Sequence, residues 1–566
     1  MKTSDNKRSF EEIKRYIKCL QALSLVVIFF AFSKYSYQVE AADDDFVIVN
    51  GELTAYKGKE TLVIIPDTVS SIADKAFKGY TNLISVKLSN SITKIGNEAF
   101  SSCTNLIEIT IPESVTVIED YTFIGCSNLT KVVLPDTLSS IGAFAFQDCT
   151  NLTDINLPSQ LVSIGKYAFS NCSNLKLEKL PDQLVTVGDY AFQYCSSIVK
   201  IVIPDSLTIL GSGIFRNCDN LTNVVIPDTV TKIQGSFSWC NNLTSISISD
   251  SVTEIGDFSF WGCSNLKKVT LPVTLTRIGS RAFSECTSLR SILIPKGVRE
   301  IGESAFRDCT QLIKVTMSDQ VSDIGTSAFD GCSLLTSISI PESVTDIGEF
   351  AFRDTPWLAK LKKSNKLVII NQILVDGSSC KGKVTIPNTV TKIADGAFRY
   401  NESLTVITFP DSVTSIGDNA FSECKNLKGV KLPSKLKTIG MFTFSDSGLT
   451  SITLPNSVNR IMHGAFGNCN KLTKIIWSKS LNRIDSYAFF GCKGLTSITI
   501  PDSVTLIGEC AFSDCSTLKK VIIPKTTTKI GTEAFYQCNK NIVIHGAAKS
   551  AAEKYAKNYK ITFKKL

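Results

Sequence analysis

Sixteen of the nineteen cysteines in this chain stand three residues after a phenylalanine: Cys103, Cys126, Cys149, Cys172, Cys195, Cys218, Cys240, Cys263, Cys286, Cys309, Cys332, Cys424, Cys469, Cys492, Cys515 and Cys538. Cysteine can form disulfides, hold soft metals or act as a thiolate nucleophile. Zinc needs ligands that converge on one point, and a line of single cysteines, one per repeat, offers none. If the repeats stack in register, equivalent Cβ atoms lie one strand spacing apart, ~4.8 Å, beyond the ~3.5–4.5 Å that a disulfide prefers. Thr355 and Ser447 take the same slot in two repeats, which small buried polar residues can do and half-cystines cannot. The spacing predicts a buried column of free thiols with a structural role.

Other reactive residues are sparse. The chain has two histidines, His463 and His545, so the usual general base and commonest metal ligand are nearly missing. Ser91-Ile-Thr-Lys94 and Ser163-Ile-Gly-Lys166 fit a serine–lysine nucleophile pattern, but both fall on repeated turn positions. Asp43 to Asp45 are contiguous and lack the alternating spacing of a calcium loop. No phosphate-cradling glycine pattern stands apart from the repeat glycines. N-x-S/T sites include Asn128, Asn151, Asn220, Asn242 and Asn401, four of these within the repeated phrase NLT. No catalytic residue, metal site or cofactor is expected, and the protein is read as a non-enzyme. The net charge of +8 on 566 residues is too weak and too diffuse to imply nucleic acid.

The elements that position these residues follow from the phenylalanines. Phe77, Phe100, Phe123, Phe146, Phe169, Phe192 and Phe215 lie 23 residues apart. After one step of 22 come Phe237, Phe260, Phe283, Phe306, Phe329 and Phe352. A gap of 46 leads to Phe398, Phe421, Phe444, Phe466, Phe489, Phe512 and Phe535, again with one step of 22. Twenty anchors at a fixed period are a solenoid signal. One unit contains Leu106, Ile109, Ile111, Pro112, Val115, Ile118, Phe123 and Cys126. Ile109 and Ile111 alternate with polar neighbours, the pattern of a short strand with one buried face. Pro112 ends it, because a residue without an N–H fits only where the ladder has stopped. Glycine fills the slot four before the anchor in fourteen coils, but Glu119 and Met462 also stand there, so that slot does not demand a left-handed backbone. The expected fold is a mainly β repeat solenoid with a parallel sheet on one face and short turns, 3-10 or helical segments on the other. Twenty coils would make a curved or twisted rod of roughly 95 Å.

Departures from the period set the boundaries. Residues 1–41 read as an export signal: a basic stretch from Lys2 to Lys18, an apolar run from Cys19 to Phe32, and Val39 and Ala41 at a plausible cleavage site. An uncleaved anchor is the other reading of that run. Residues 42–66 form a hairpin cap around Asn50-Gly51, a strong two-residue turn signal. A first repeat block runs over 67–356, an inserted hairpin module with Asn371-Gln372 at its turn over 357–387, a second block over 388–545, and a C-terminal cap of helix (Ser550 to Tyr559) and strand over 546–566. Glu178 stands where a strand residue should be buried, which predicts a bulge turning Leu177 inward.

The unit resembles the BspA-type leucine-rich repeat, on the strength of phrases such as LTSITIPDSVTLIGECAFSDC at residues 495–515. The resemblance covers residues 46–545. It implies a secreted or cell-surface protein of the kind found in anaerobic and mucosal microbes and some protists, several of which are described as adhesins. Two surfaces could bind. One is the outer strand face, with Lys131, Val133, Asp154, Asn156, Lys200, Asn223, Ser245, Lys268 and Lys314. The other is an aromatic stripe two residues before the anchors, Tyr121, Phe144, Tyr167 and Tyr190, with Trp239 and Trp261 nearby. The rings either stack on one another as part of the turn or mark a partner or glycan site. The expected function is adhesion to host matrix proteins, glycans or other cells, with no membrane span in the mature chain. A self-associating envelope or biofilm matrix component is the alternative.

Overall fold

The computed structural model describes residues 43–566; the export-signal reading and Cys19 lie outside them. Each coil contributes a strand of the I-x-I type, as Glu108–Thr110, which pairs in parallel with Lys131–Val133 one coil on, Ile109 opposite Val132. A second ladder lies on the other side of the coil. Val117–Ile118 pairs in parallel with Ser140–Ile141, and that strand with Ser163–Ile164. The mainly β solenoid with a parallel sheet and short turns is as expected, and beside the turns the repeats also carry two-residue strands instead of 3-10 or helical segments. The physical reason is length. Between the proline turn, closed by Val115 N–H to Pro112 O at 3.0 Å, and the glycine slot there is no room for a helical turn, and β-branched residues favour the extended form.

The third side, the A-F-x-x-C turn, is also a ladder. The N–H of Tyr121 donates to Ala143 O (2.9 Å), that of Phe123 to Ala145 O (2.8 Å) and that of Gly125 to Gln147 O (2.7 Å). Every second N–H thus points to the next coil because the residue two before the anchor is left-handed. That position has positive φ in all twenty coils, from Lys75 (65°) to Glu533 (53°), and is glycine only at Gly213, Gly235, Gly396 and Gly464. The glycine slot two residues earlier has a different cause. A Cβ on Gly142 would lie 2.6 Å from Asp120 Oδ1 and 2.7 Å from Asp120 N, so glycine there admits the preceding coil.

Inside, the anchor phenylalanines form stacks. From Phe77 to Phe352 successive centroids lie 5.1–6.0 Å apart with rings within 13° of parallel. The widest spacing, 6.0 Å, is Phe215–Phe237, the 22-residue step. A second stack runs from Phe398 to Phe535. The outer end of each stack is closed by tyrosine. Tyr56 stacks on Phe77 at 5.3 Å. The hydroxyls of Tyr555 and Tyr559 accept from the N–H groups of Phe535 and Glu533, each at 3.1 Å, which the last coil would otherwise leave unpaired.

The hairpin Phe46–Val49/Glu52–Tyr56 turns on Asn50 and Gly51, both left-handed, and its second strand joins the second ladder. Val368–Ile370 and Ile373–Asp376 repeat that layout around left-handed Asn371 and Gln372. Before this hairpin stands a helix, Pro356–Ser364, that the period did not announce. Thr355 Oγ1 accepts from Leu358 N at 3.2 Å and donates to Phe352 O at 2.7 Å, so the residue in the cysteine slot becomes an N-cap with proline at the first helical position. Trp357 then closes the first stack edge-on, 4.9 Å from Phe352. Lys392–Asp346 (2.7 Å) and Arg399–Glu349 (2.6 Å) tie the coils on either side of the hairpin. Glu178 is exposed and Leu177 half-buried against the core. The C-terminal segment folds as helix Ala551–Asn558 and strand Thr562–Lys565, which pairs in parallel with Val543–Gly546.

Candidate functional site

The sixteen slot cysteines are free thiols, buried except for half-buried Cys538. Each donates to the carbonyl of the preceding coil's anchor phenylalanine at 3.0–3.3 Å, as Cys126 Sγ to Phe100 O. A small donor suits the slot, but Thr355 departs from the pattern: its hydroxyl donates to Phe352 O of its own coil at 2.7 Å and caps the helix that follows. Burial pushes the Cys103 and Cys263 thiols up to about 12, which keeps them protonated and unreactive. Titration of the folded protein with an aromatic disulfide reagent is therefore expected to modify Cys538 and to leave the inner column unmodified until guanidinium unfolds the chain. Rapid labelling of Cys149 or Cys195, identified by mass, would show that the column is open.

Serine–lysine pairing is absent at both candidates: Ser163 Oγ bonds Ser140 Oγ at 2.7 Å, and Ser91 Oγ donates to Val69 O at 2.7 Å. Among the described residues, no group of three or more His, Cys, Asp or Glu side chains is placed to hold a metal ion. On the outer strand face Lys131, Asp154, Lys200, Asn223, Ser245, Lys268 and Lys314 are exposed and Val133 half-buried. Asn156 differs, because its amide pairs with Leu134 N and O, both at 3.0 Å.

The aromatic stripe is a second, outer stack. Tyr121–Phe144, Phe144–Tyr167 and Tyr167–Tyr190 have centroids 4.7, 5.0 and 5.0 Å apart. All four residues are left-handed, with φ between 55° and 59°, a conformation that costs a non-glycine residue about 1–2 kcal/mol. The N–H bonds to the next coil and the ring stacking offset that cost. Tyr121, at the end of the row, is 37% exposed; the other three are half-buried, each covered by its neighbours.

Beyond Tyr190 the stripe stops. Gly213 and Gly235 take the next two left-handed positions, and the Tyr190 ring lies over Gly213, where a Cβ would be 2.3 Å from ring carbons. The row resumes at Phe258. Between Tyr190 and Phe258 lies a cavity of about 450 Å³, also lined by Arg216, Gln234 and Trp261. Trp261 meets Trp239 edge-on at 5.1 Å and donates from Nε1 to Glu285 at 3.1 Å, while Trp239 covers Gly262. The structure thus gathers Tyr190 and Trp261 at one cavity, with Trp239 behind it and Tyr121, Phe144 and Tyr167 leading away. Arg216 and Phe258 were not singled out by sequence. The signal that could have found them is two glycines in the stripe position beside a shortened repeat.

A second cavity, of about 460 Å³, lies at the mid-chain helix and is lined by Phe350, Arg353, Leu358, Lys362, Asp395 and Arg399 among others. Its cations are committed: Arg353 to Asp330, Lys362 to Asp376 and Arg399 to Glu349. Burial pushes the Asp395 carboxyl up to about 6.

Coils of this length, with a parallel I-x-I ladder and inward leucine, isoleucine and phenylalanine columns, define a leucine-rich-repeat solenoid. The family model described as "BspA type Leucine rich repeat region" matches six times, at residues 54–176, 123–236, 234–358, 329–450, 368–496 and 437–558, and the chain belongs to that family. A leucine-rich repeat protein from Bacteroides ovatus is 23% identical, over 90% of this chain and 100% of its own, with a TM-score of 0.34. A leucine rich cell surface protein from Faecalibacterium prausnitzii is 23% identical, over 86% and 95%, with a TM-score of 0.25. The T. pallidum leucine-rich repeat protein is 28% identical over 36% of this chain and 90% of its own, with a TM-score of 0.28. No curated protein matches.

Proposed function

We propose that this protein is a secreted or cell-surface binding protein that holds protein or glycan partners along the stripe from Tyr121 to Tyr190, and that adhesion to matrix proteins, glycans or other cells is its role. The observation that carries this reading is the outer stack itself. Four aromatic rings are held at a regular spacing on the surface by a backbone that leaves them little freedom, so a partner stacking or packing on them loses little ordering entropy. The family supports a binding scaffold, and the F. prausnitzii relative is itself described as a cell surface protein. Among the described residues no helix is long and apolar enough to cross a membrane, and the export reading of residues 1–41 agrees with a location outside the cell.

The test is saturable binding of the purified protein to immobilised matrix proteins and glycans across a range of salt. It is run beside a triple variant, Tyr121→Ser, Phe144→Ser and Tyr167→Ser. Serine occupies the same left-handed slot at Ser304 and Ser327, so the variant is expected to fold. Losing three stacking surfaces worth about 0.5–1.5 kcal/mol each is expected to weaken binding at least tenfold. Unchanged binding by the variant would remove the stripe from the reading. Assembly that rises with protein concentration, without any captured ligand, would favour the self-associating alternative.

A further inference from the structure

The cavity beyond Tyr190 carries a cation that the fold has not used. Glu254 is engaged by Lys232 at 3.2 Å and by Arg277 at 2.8 Å, and Asp257 by Arg277 at 3.1 Å and by Ser280 N at 2.9 Å. Arg216 sits in the same cavity with no ion pair or side-chain hydrogen bond among the described residues, and its Nε is fully buried without a partner. Its guanidinium carbon lies 5.9 Å from the Trp261 ring. The Arg216 guanidinium lines the cavity with no anion of its own, and its planar fork matches a carboxylate in two parallel bonds. Tyr190, Phe258 and Trp261 supply ring faces and edges, the surfaces on which the C–H faces of a sugar pack. The polar edges of such a ring would meet Gln234 and the serines of the floor.

We infer that this cavity binds a sugar residue bearing a carboxylate, with Arg216 pairing to the acid and the aromatic walls to the ring. The inference rests on the stripe face being the binding face, but it uses different residues from the Tyr121–Tyr167 stack, so the two can fail separately. The occupant is a sialic acid at a glycan end or a uronic acid within a chain. Its volume suits a cavity of about 450 Å³, in the range of small-ligand pockets.

The full-length secreted protein should be titrated calorimetrically with 3′-sialyllactose against lactose, and with a hyaluronan tetrasaccharide against its carboxyl-reduced form. One acidic member is expected to bind at least tenfold more tightly than its neutral counterpart, and which one does so identifies the source. Arg216→Gln removes the charge and is expected to weaken that binding tenfold or more, the scale of a charge-assisted hydrogen bond. Gly235→Tyr is the second variant: a Cβ there meets nothing closer than 3.4 Å, and tyrosine fills the same left-handed slot at Tyr167 and Tyr190. It should fold, continue the stack across the gap and abolish binding. The Tyr121/Phe144/Tyr167 triple serine variant should bind the acidic saccharide as the native protein does. Equal affinity for acidic and neutral members, no binding of either pair, or an Arg216→Gln variant that binds unchanged would overturn the assignment, whatever the stripe does.

Discussion

Replacing Phe169 by alanine is expected to cost about 3–5 kcal/mol of stability, measured by denaturant unfolding with the slope checked for two-state behaviour. Phe169 has no exposed surface and lies between Phe146 at 5.2 Å and Phe192 at 5.3 Å. The size of the effect follows from how the coils are held. Hydrogen-bond ladders on three sides fix the distance between neighbouring coils, so the structure cannot close over the missing ring. The cavity remains open, and its lining loses contacts on both sides at once. In a solenoid each coil touches only its neighbours, so limited proteolysis should cut first near residues 146–192. Alanine at Phe144, twenty-five residues earlier and in the outer stripe, is the control and should cost far less. A loss below about 1 kcal/mol at Phe169, the cost of a small conservative core trimming, would mean that the coils can settle together and that the ladders are softer than their geometry implies.

Gly165→Ala is expected to destabilise by about 1–3 kcal/mol, although alanine is normally the better tolerated residue. The backbone at Gly165 is not left-handed, so φ is not at issue. A Cβ there would stand 2.5 Å from Ala143 N and 2.5 Å from Gly142 C, and both are main-chain atoms that cannot move aside without parting the coils. The expected signature is faster amide exchange at Gly165 and Phe144, whose N–H groups bond across that same interface to Ile141 O and Lys166 O, together with a lower melting temperature. A neutral or stabilising alanine would place the reason for glycine in folding kinetics instead of packing.

Those two sites mark how far the sequence could be read. The 23-residue recurrence of phenylalanine declares the coils and the inner stack, because only a repeated environment demands the same large residue at the same interval. Asn50-Gly51 declares its hairpin through turn chemistry. The glycine slot was correctly separated from a left-handed requirement, and four of its exceptions sit where the period itself is interrupted, while Glu119 and Asp485 have no structural explanation. Ala73 and Ala394 follow the two hairpins, while Gln234 and Met462 fall in the two shortened coils. The second ladder was not legible, since two-residue strands such as Val117–Ile118 are too short to show a period. The left-handed row was not legible either, because residues as unlike as Lys75, Tyr121, Arg281 and Cys510 occupy it and no composition marks it. The helix at Pro356–Ser364 had its signal in Thr355-Pro356, a cap followed by proline, hidden by the expectation of another cysteine slot. The cavity beside Arg216 is formed by side chains that Gly213 and Gly235 lack, and a gap leaves no residue to notice.

The even pitch of the outer rings has a consequence for kinetics. If the stripe binds as proposed, a ligand long enough to cover two rings finds three overlapping and closely similar seats along Tyr121 to Tyr190. That degeneracy adds RT ln 3, about 0.6 kcal/mol, with no new contact. It also lets a bound chain shift by one ring without letting go. On the proposed reading such a surface would grip like a ratchet without teeth: retention would outlast any single pose, and a pulling force would be spread over successive small slips instead of one rupture.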